Sequence, residues 1–165
     1  SFIKRYNSDL ANDFGNLLSR VSRLIHKNFD GKMPEWGEPT SAGNEMKKLA
    51  EGTIEKVNKL IQSMRINEAI EETMQFIRSV NRYMEQQVPW KRVKEDKSAA
   101  GRVSITAAEG MRLGALLLQP VMPSRTLIVL ETLNAEHTSL AWGQLKPGSE
   151  LKEHPSLFPR IEVNN

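Results

Sequence analysis

Between Leu10 and Leu24 the apolar residues Leu10, Phe14, Leu17, Val21 and Leu24 recur at steps of three and four, the period of one face of an α-helix. The same rhythm returns at Ile70, Met74, Ile77, Val80 or Asn81, and Met84. No run of strand-like alternation competes with it. Helices with apolar stripes and no sheet to cover must bury those stripes on one another, so the expected fold is an all-α bundle. About five helices are expected, over 8–28 (with Asn7 or Ser8 as cap), 41–64, 67–87, 105–119 and 124–133. In the second, Leu49, Val57, Leu60, Ile61 and Met64 supply the apolar side. Pro89 stops the third, and residues 91–104 read as a charged connection. The fourth is apolar on several faces and is placed at the centre. Residues 29–39, rich in turn formers, read as a loop, and everything after Asn134 as an irregular tail anchored by Leu140, Trp142, Leu145, Leu157, Phe158 and Ile161.

A chain of 165 residues suits one domain, or one domain with a tail. The absence of cysteine removes disulfides, thiolate nucleophiles and thiolate metal sites, and fits a reducing compartment. His26, His137 and His154 lack HExxH spacing and give no zinc signal. The opening SFIKRYNSDL has the pattern of neither a signal peptide nor a membrane start, and the apolar stretch from Gly114 to Val121 is too short to cross a bilayer. Glycine-rich phosphate loops and serine elbows are missing, while the adjacent Glu71 and Glu72 point in different directions and make a poor acid–base pair. These patterns favour a binding module over an enzyme.

Charge is informative through its placement. The net formal charge is only +3, yet the stretch from Arg78 to Arg102 holds seven basic and three acidic residues. Such a patch attracts phosphates and makes binding salt-dependent. On the first helix Asn12, Asn16, Arg20, Arg23 and Lys27 share one side, away from the apolar stripe. Asn can pair with a base edge and Arg with phosphate or a base carbonyl; the same pattern is equally that of a solvated helix face. A second group is Arg78, Arg82, Tyr83, Pro89, Trp90, Lys91, Arg92 and Lys94. There Trp90 offers a plane for an unpaired base among cations, or else folds over the end of the bundle as core. Trp36, Trp142 and Phe158 read as hydrophobic seals, and His26 as a surface or satisfied group.

Four blocks then stand in order along the chain: RYNSDLANDFGNLLSRV at Arg5–Val21, PW at Pro89–Trp90, LLLQPVMPSRT at Leu116–Thr126 and LFPRIE at Leu157–Glu162. Together they resemble methionyl-tRNA synthetase of the bacterial or organellar type, over essentially the whole chain. The first block is shared loosely with other class I synthetases; PW and LFPRIE narrow the resemblance to the methionine enzyme. The resemblance implies an anticodon-binding helical bundle over 1–134 and a tail over 135–165 that packs on the bundle or toward the catalytic domain. It implies a partner, methionine tRNA (elongator and initiator), whose anticodon CAU is unpacked so that an Asn, an Arg and a Trp read the first base. By motif these are Asn16, Arg20 and Trp90, with Pro89 shaping the helix end and Asn12 falling at the second base. Arg23, Lys27, Arg78, Arg82, Lys91 and Arg92 are then expected to hold phosphates.

The family's nucleotide-binding catalytic domain, with its HIGH-like and KMSKS-like motifs, and its zinc-bearing insertion have no counterpart in these 165 residues. The expectation is a fragment or separate subunit that binds tRNA, as a monomer and without a membrane partner. No cofactor is expected on this chain; ATP and Mg²⁺ serve the full enzyme, whose catalytic domain is supplied in cis or as a partner chain. The compartment expected is the cytoplasm, with mitochondrion or plastid as the alternative. The rival readings are the corresponding domain of another class I synthetase, or a non-catalytic helical protein-interaction domain.

Overall fold

The computed structural model describes residues 2–135 and 138–153, with side chains at 8, 9, 12–135 and 138–153. Among them the chain forms α1 (Phe2–Asn28), α2 (Ser41–Gln62), α3 (Ile66–Gln87), the single turn α4 (Pro89–Arg92), α5 (Lys97–Leu118) and α6 (Pro123–Thr132). The five long helices form the expected all-α bundle, and α5 is its axis. It packs against every other helix. Small residues make this possible: a Cβ at Gly110 would lie 2.9 Å from Val80, and one at Gly114 would collide with Ile77, so α3 approaches α5 more closely than a larger side chain allows.

Phe14, Leu17, Val21 and Leu24 are buried along α1, as are Ile70, Met74, Ile77, Val80 and Met84 along α3; Leu10 lies outside the described side chains. The helix already runs through Asn7 and Ser8, so neither is its cap. The second helix corrects the sequence reading. Its buried stripe is Met46, Ala50, Thr53 and Val57, whereas Leu49, Ile61 and Met64 are exposed, Met64 by 82%. A narrow stripe of small side chains lets α2 lie close to α3 and α5, and Thr53 tolerates burial because its hydroxyl donates to the Leu49 carbonyl at 2.8 Å.

The expected connection over 91–104 is also corrected. Asp96 caps α5 by accepting the Ala99 amide at 3.0 Å, so helix starts eight residues before Ile105. Charged residues around that cap hid the start, since they carry no apolar period.

The segment 138–153 is less irregular than its sequence suggests. Glu109 and Arg112, one turn apart on α5 and both without side-chain exposure, pair at 2.8 Å. Their remaining capacity is spent on the backbone of this segment. A Glu109 oxygen accepts the Gly143 and Gln144 amides at 2.6 and 2.9 Å, while Arg112 donates to the Ser139 and Ala141 carbonyls at 2.7 and 2.9 Å. Further along, the chain returns to the 31–33 loop through Leu151 N–H to Gly31, Gly148 N–H to Met33 and Met33 N–H to Ser149, each at 2.8 Å. Leu145 and Leu151 are buried, Leu140 and Trp142 partly so, and the Trp36 indole donates to the Leu145 carbonyl at 3.1 Å. The other expected anchors, Leu157, Phe158 and Ile161, lie outside the described residues.

Removing one member of a buried pair strands the other as an uncompensated charge. Glu109→Gln is therefore expected to lower the unfolding free energy by about 3–5 kcal/mol in urea denaturation; a loss under about 1 kcal/mol would place the pair in a wetter setting than its burial indicates.

Candidate nucleic-acid interface

One unusual residue sets the geometry where α3 gives way to α4. Val88 is left-handed, with φ 42° and ψ 56°. Its amide closes α3 on the Met84 carbonyl at 3.0 Å, and its own carbonyl accepts the Lys91 and Arg92 amides that open α4. Pro89 takes the first helical position, where a missing amide costs nothing. The chain thus bends within one residue. Pro89 is buried beneath the bend, and Trp90 stands out of it with 39% of its surface exposed.

Opposite lies the polar side of α1. The Arg20 guanidinium carbon is 6.0 Å from the Trp90 ring centroid, at the outer edge of cation–π range. Arg20 also pairs with Glu85 at 3.5 Å. It stands between two clefts. One, of about 250 Å³, is lined by Asn16, Arg20, Asn81, Arg82 and Glu85 among others. The second, of about 390 Å³, has Trp90, Leu24 and Val93 for its apolar part and Arg20, Arg23, Lys27 and Lys94 around them. Asn16, Arg20 and Trp90, spread over 75 positions of sequence, are brought together.

The other expected residues divide. Asn12 is exposed one turn before Asn16, outside both linings. Arg23, Lys27 and Lys91 are exposed and have no ion-pair partner among the described residues. Arg82 is exposed and reaches Ser79 at 3.4 Å, and Arg92 reaches Gln87 at 3.2 Å. Arg78 is engaged differently: Asp13 at 3.0 Å, Asp9 at 3.4 Å and Glu71 at 3.8 Å surround it. Its charge ties α1 to α3. Tyr83 is buried. Burial raises its hydroxyl pKa above the ordinary phenol value, against the lowering effects of the Thr106 hydrogen bond and of Arg92 and Arg102, so it supports the bend as a neutral group.

Sequence reasoning passed over Glu85 and Asn81. Asn81 donates to the Asp13 carbonyl at 2.9 Å, which fixes its amide and leaves its oxygen buried without a partner. Both contacts join residues more than sixty positions apart, and helical periodicity carries no signal for them.

Residues 33–165 match the family model of the anticodon binding domain of methionyl tRNA ligase. The chain belongs to that family. The methionine–tRNA ligase of Deinococcus radiodurans is 36% identical over 97% of this chain and 24% of its own length; that of Caldanaerobacter subterraneus is 32% identical over 99% of this chain and 27% of its own length. The chain therefore spans about a quarter of the length of these relatives. Among solved structures, the free-state Mycobacterium tuberculosis methionyl-tRNA synthetase superposes with a TM-score of 0.87 at 30% identity, covering 97% of this chain and 34% of that one. The family match over 33–165 spans Pro89 and Trp90 and begins after α1, while the relatives match 97–99% of the chain.

A β-branched residue in the left-handed region is strained by roughly 1–2 kcal/mol, and Asn tolerates that region better. Val88→Asn is expected to raise the stability of this anticodon-binding domain by up to about 1 kcal/mol in urea denaturation, although loss of a half-buried valine ordinarily lowers it; a clear loss would show that the valine's burial outweighs the strain of the bend.

Proposed function

We propose that this chain reads the CAU anticodon of methionine tRNA, elongator and initiator alike, on behalf of a longer methionine–tRNA ligase. The observation that carries the reading is the position of Arg20, between a cleft it shares with Asn16 and a cleft it shares with Trp90. An unpaired base laid on the Trp90 ring presents its edge to Arg20 and Asn16. Stacking of this kind contributes about 1–3 kcal/mol per base, and a bidentate contact to a base edge about as much again in discrimination. Arg20 must exchange its contact with Glu85 for the base, and since both partners are well exposed the exchange costs little.

The genetic code explains why the first base is the one to read. Methionine has one codon, AUG, and the isoleucine anticodons share the second and third bases of CAU. Only the first base separates the two amino acids. Arg23, Lys27, Lys91, Arg92 and Arg82 hold phosphates without sequence preference, Asn12 serves the second base, and Arg78 acts mainly within the fold because three carboxylates already neutralise it. Attachment of methionine, with ATP and Mg²⁺, belongs to the catalytic domain of the longer enzyme, joined in cis or as a subunit; no group on this chain takes part in it.

Titration with anticodon stem-loops carrying CAU, UAU and CAC, at two salt concentrations, tests the reading. CAU is expected to bind at least about tenfold more tightly than UAU, and every loop to weaken as salt rises; equal affinities would leave a helical domain without anticodon specificity. Trp90→Ala is expected to cost about 1–3 kcal/mol of CAU binding while moving the unfolding transition far less. Matched losses in binding and stability would assign Trp90 to the core.

A further inference from the structure

A second cleft lies past the end of α1. The wall of Lys27, Asn28 and Lys94 in the cleft beneath Trp90 is followed in the chain by Phe29 and Lys97, which line this second cleft of about 390 Å³ with Lys32, Met33 and Pro34. Eight helical residues separate Arg20 from Asn28, which puts the end of α1 about 12 Å along the axis from the reader. This second cleft has an apolar floor of Phe29, Met33 and Pro34, and Phe29 and Pro34 lie close over Gly101 of α5, which has no Cβ to hold them off. Lys97 holds its ammonium 5.4 Å from the centre of the Phe29 ring.

Among the described residues matched and unmatched cations both lie on the surface, and these clefts hold unmatched ones, as Lys48 and Lys91 are elsewhere. Lys56, Lys59, Arg65 and Arg78 are each matched to a carboxylate. Arg23, Lys27, Lys94, Lys97 and Lys32 have no such partner among the described residues. Glu35 is the one carboxylate in the linings of the two clefts, and the neighbouring Asp96 is occupied in capping α5. Unmatched cations in a row above an apolar floor make a track for a polyanion with planar side groups.

We infer that Lys32, Lys97 and Phe29 form a second RNA contact, which takes the phosphodiester backbone flanking the anticodon on the side away from α1's N-terminal half. The inference rests on the reading of this chain as an RNA-binding domain, and lengthens its footprint beyond the three bases. Contacts of this class set affinity and register, with no share in the choice of base.

The test compares the wild-type chain with Lys32→Glu/Lys97→Glu. Both side chains are exposed, and Glu in the first turn of α5 suits the helix dipole, so folding survives the change. A Lys48→Glu/Lys59→Glu variant, with the same net charge but altered on exposed positions of α2, controls for bulk electrostatics. The cleft variant is expected to bind CAU and UAU stem-loops about tenfold more weakly at low salt, with their ratio unchanged and the slope of log K against log salt shallower by about 2. The trinucleotide CAU, which lacks flanking phosphates, is expected to bind both forms alike. Unchanged stem-loop affinity, an equal loss in the α2 control, or an equal loss for the trinucleotide would each overturn the second contact. A wild type that binds CAU and UAU equally, yet loses affinity for both in the cleft variant, would overturn the anticodon reading alone.

Discussion

The pairing of Glu109 with Arg112 at the heart of α5 is the interaction on which the rest of the arrangement depends. A carboxylate and a guanidinium without exposed side-chain surface are tolerated in an apolar core only if their hydrogen-bonding capacity is used. Part of it goes to the partner, and the rest to four main-chain groups of the segment that follows α6. The pair therefore fixes where that segment lies. The segment in turn pins the 31–33 loop at the far end of α1, next to Phe29 and the second cleft. A charge pair in the central helix thus sets the shape of a surface it never touches.

The interface itself is held by two kinds of restraint. Across α1 and α3 the contacts are polar: Arg78 with Asp9 and Asp13, and Asn81 with the Asp13 carbonyl. They set the rotation of α1 and so the direction in which Asn16 and Arg20 face. At the end of α3 the restraint is conformational, because the left-handed Val88 and the buried Pro89 leave Trp90 one direction to take. Pre-organisation of this sort lowers the ordering cost of binding. Arg20 and the neighbouring Lys27 and Lys94 present their charged ends to solvent around this fixed frame.

Much of this was legible in the sequence, and the exceptions have physical reasons. The stripes of α1 and α3 were read correctly because large apolar residues at helical period can be buried in only one way. The stripe of α2 was misread because its buried face is built of Ala50, Thr53 and Val57 together with Met46, while larger residues at neighbouring positions stay in water; hydrophobicity marks bulk, and close helix packing favours small size. The start of α5 was missed since Asp96 and Lys97 look like loop. Asn16, Arg20 and Trp90 were named through their motifs, and in the structure Arg20 lines one cleft with Asn16 and another with Trp90. The contacts of Glu85 and Asn81 left no trace in any local pattern, because their partners lie across the bundle.

The way the strap over 139–144 is held has a consequence for how such a domain can change over generations. Glu109 and Arg112 grip amides and carbonyls, which every residue type supplies, and ignore the side chains attached to them. Gly143, at φ 95°, is bound to its residue type by the path itself, and Leu140 and Trp142 by the core they pack against. Selection on the rest of this stretch acts on a route through space, so its other letters are freer to drift than the two in α5 that grip it. Relatives could differ at those other positions and still fold alike, which is a poor place to look for kinship and a good one to graft something new.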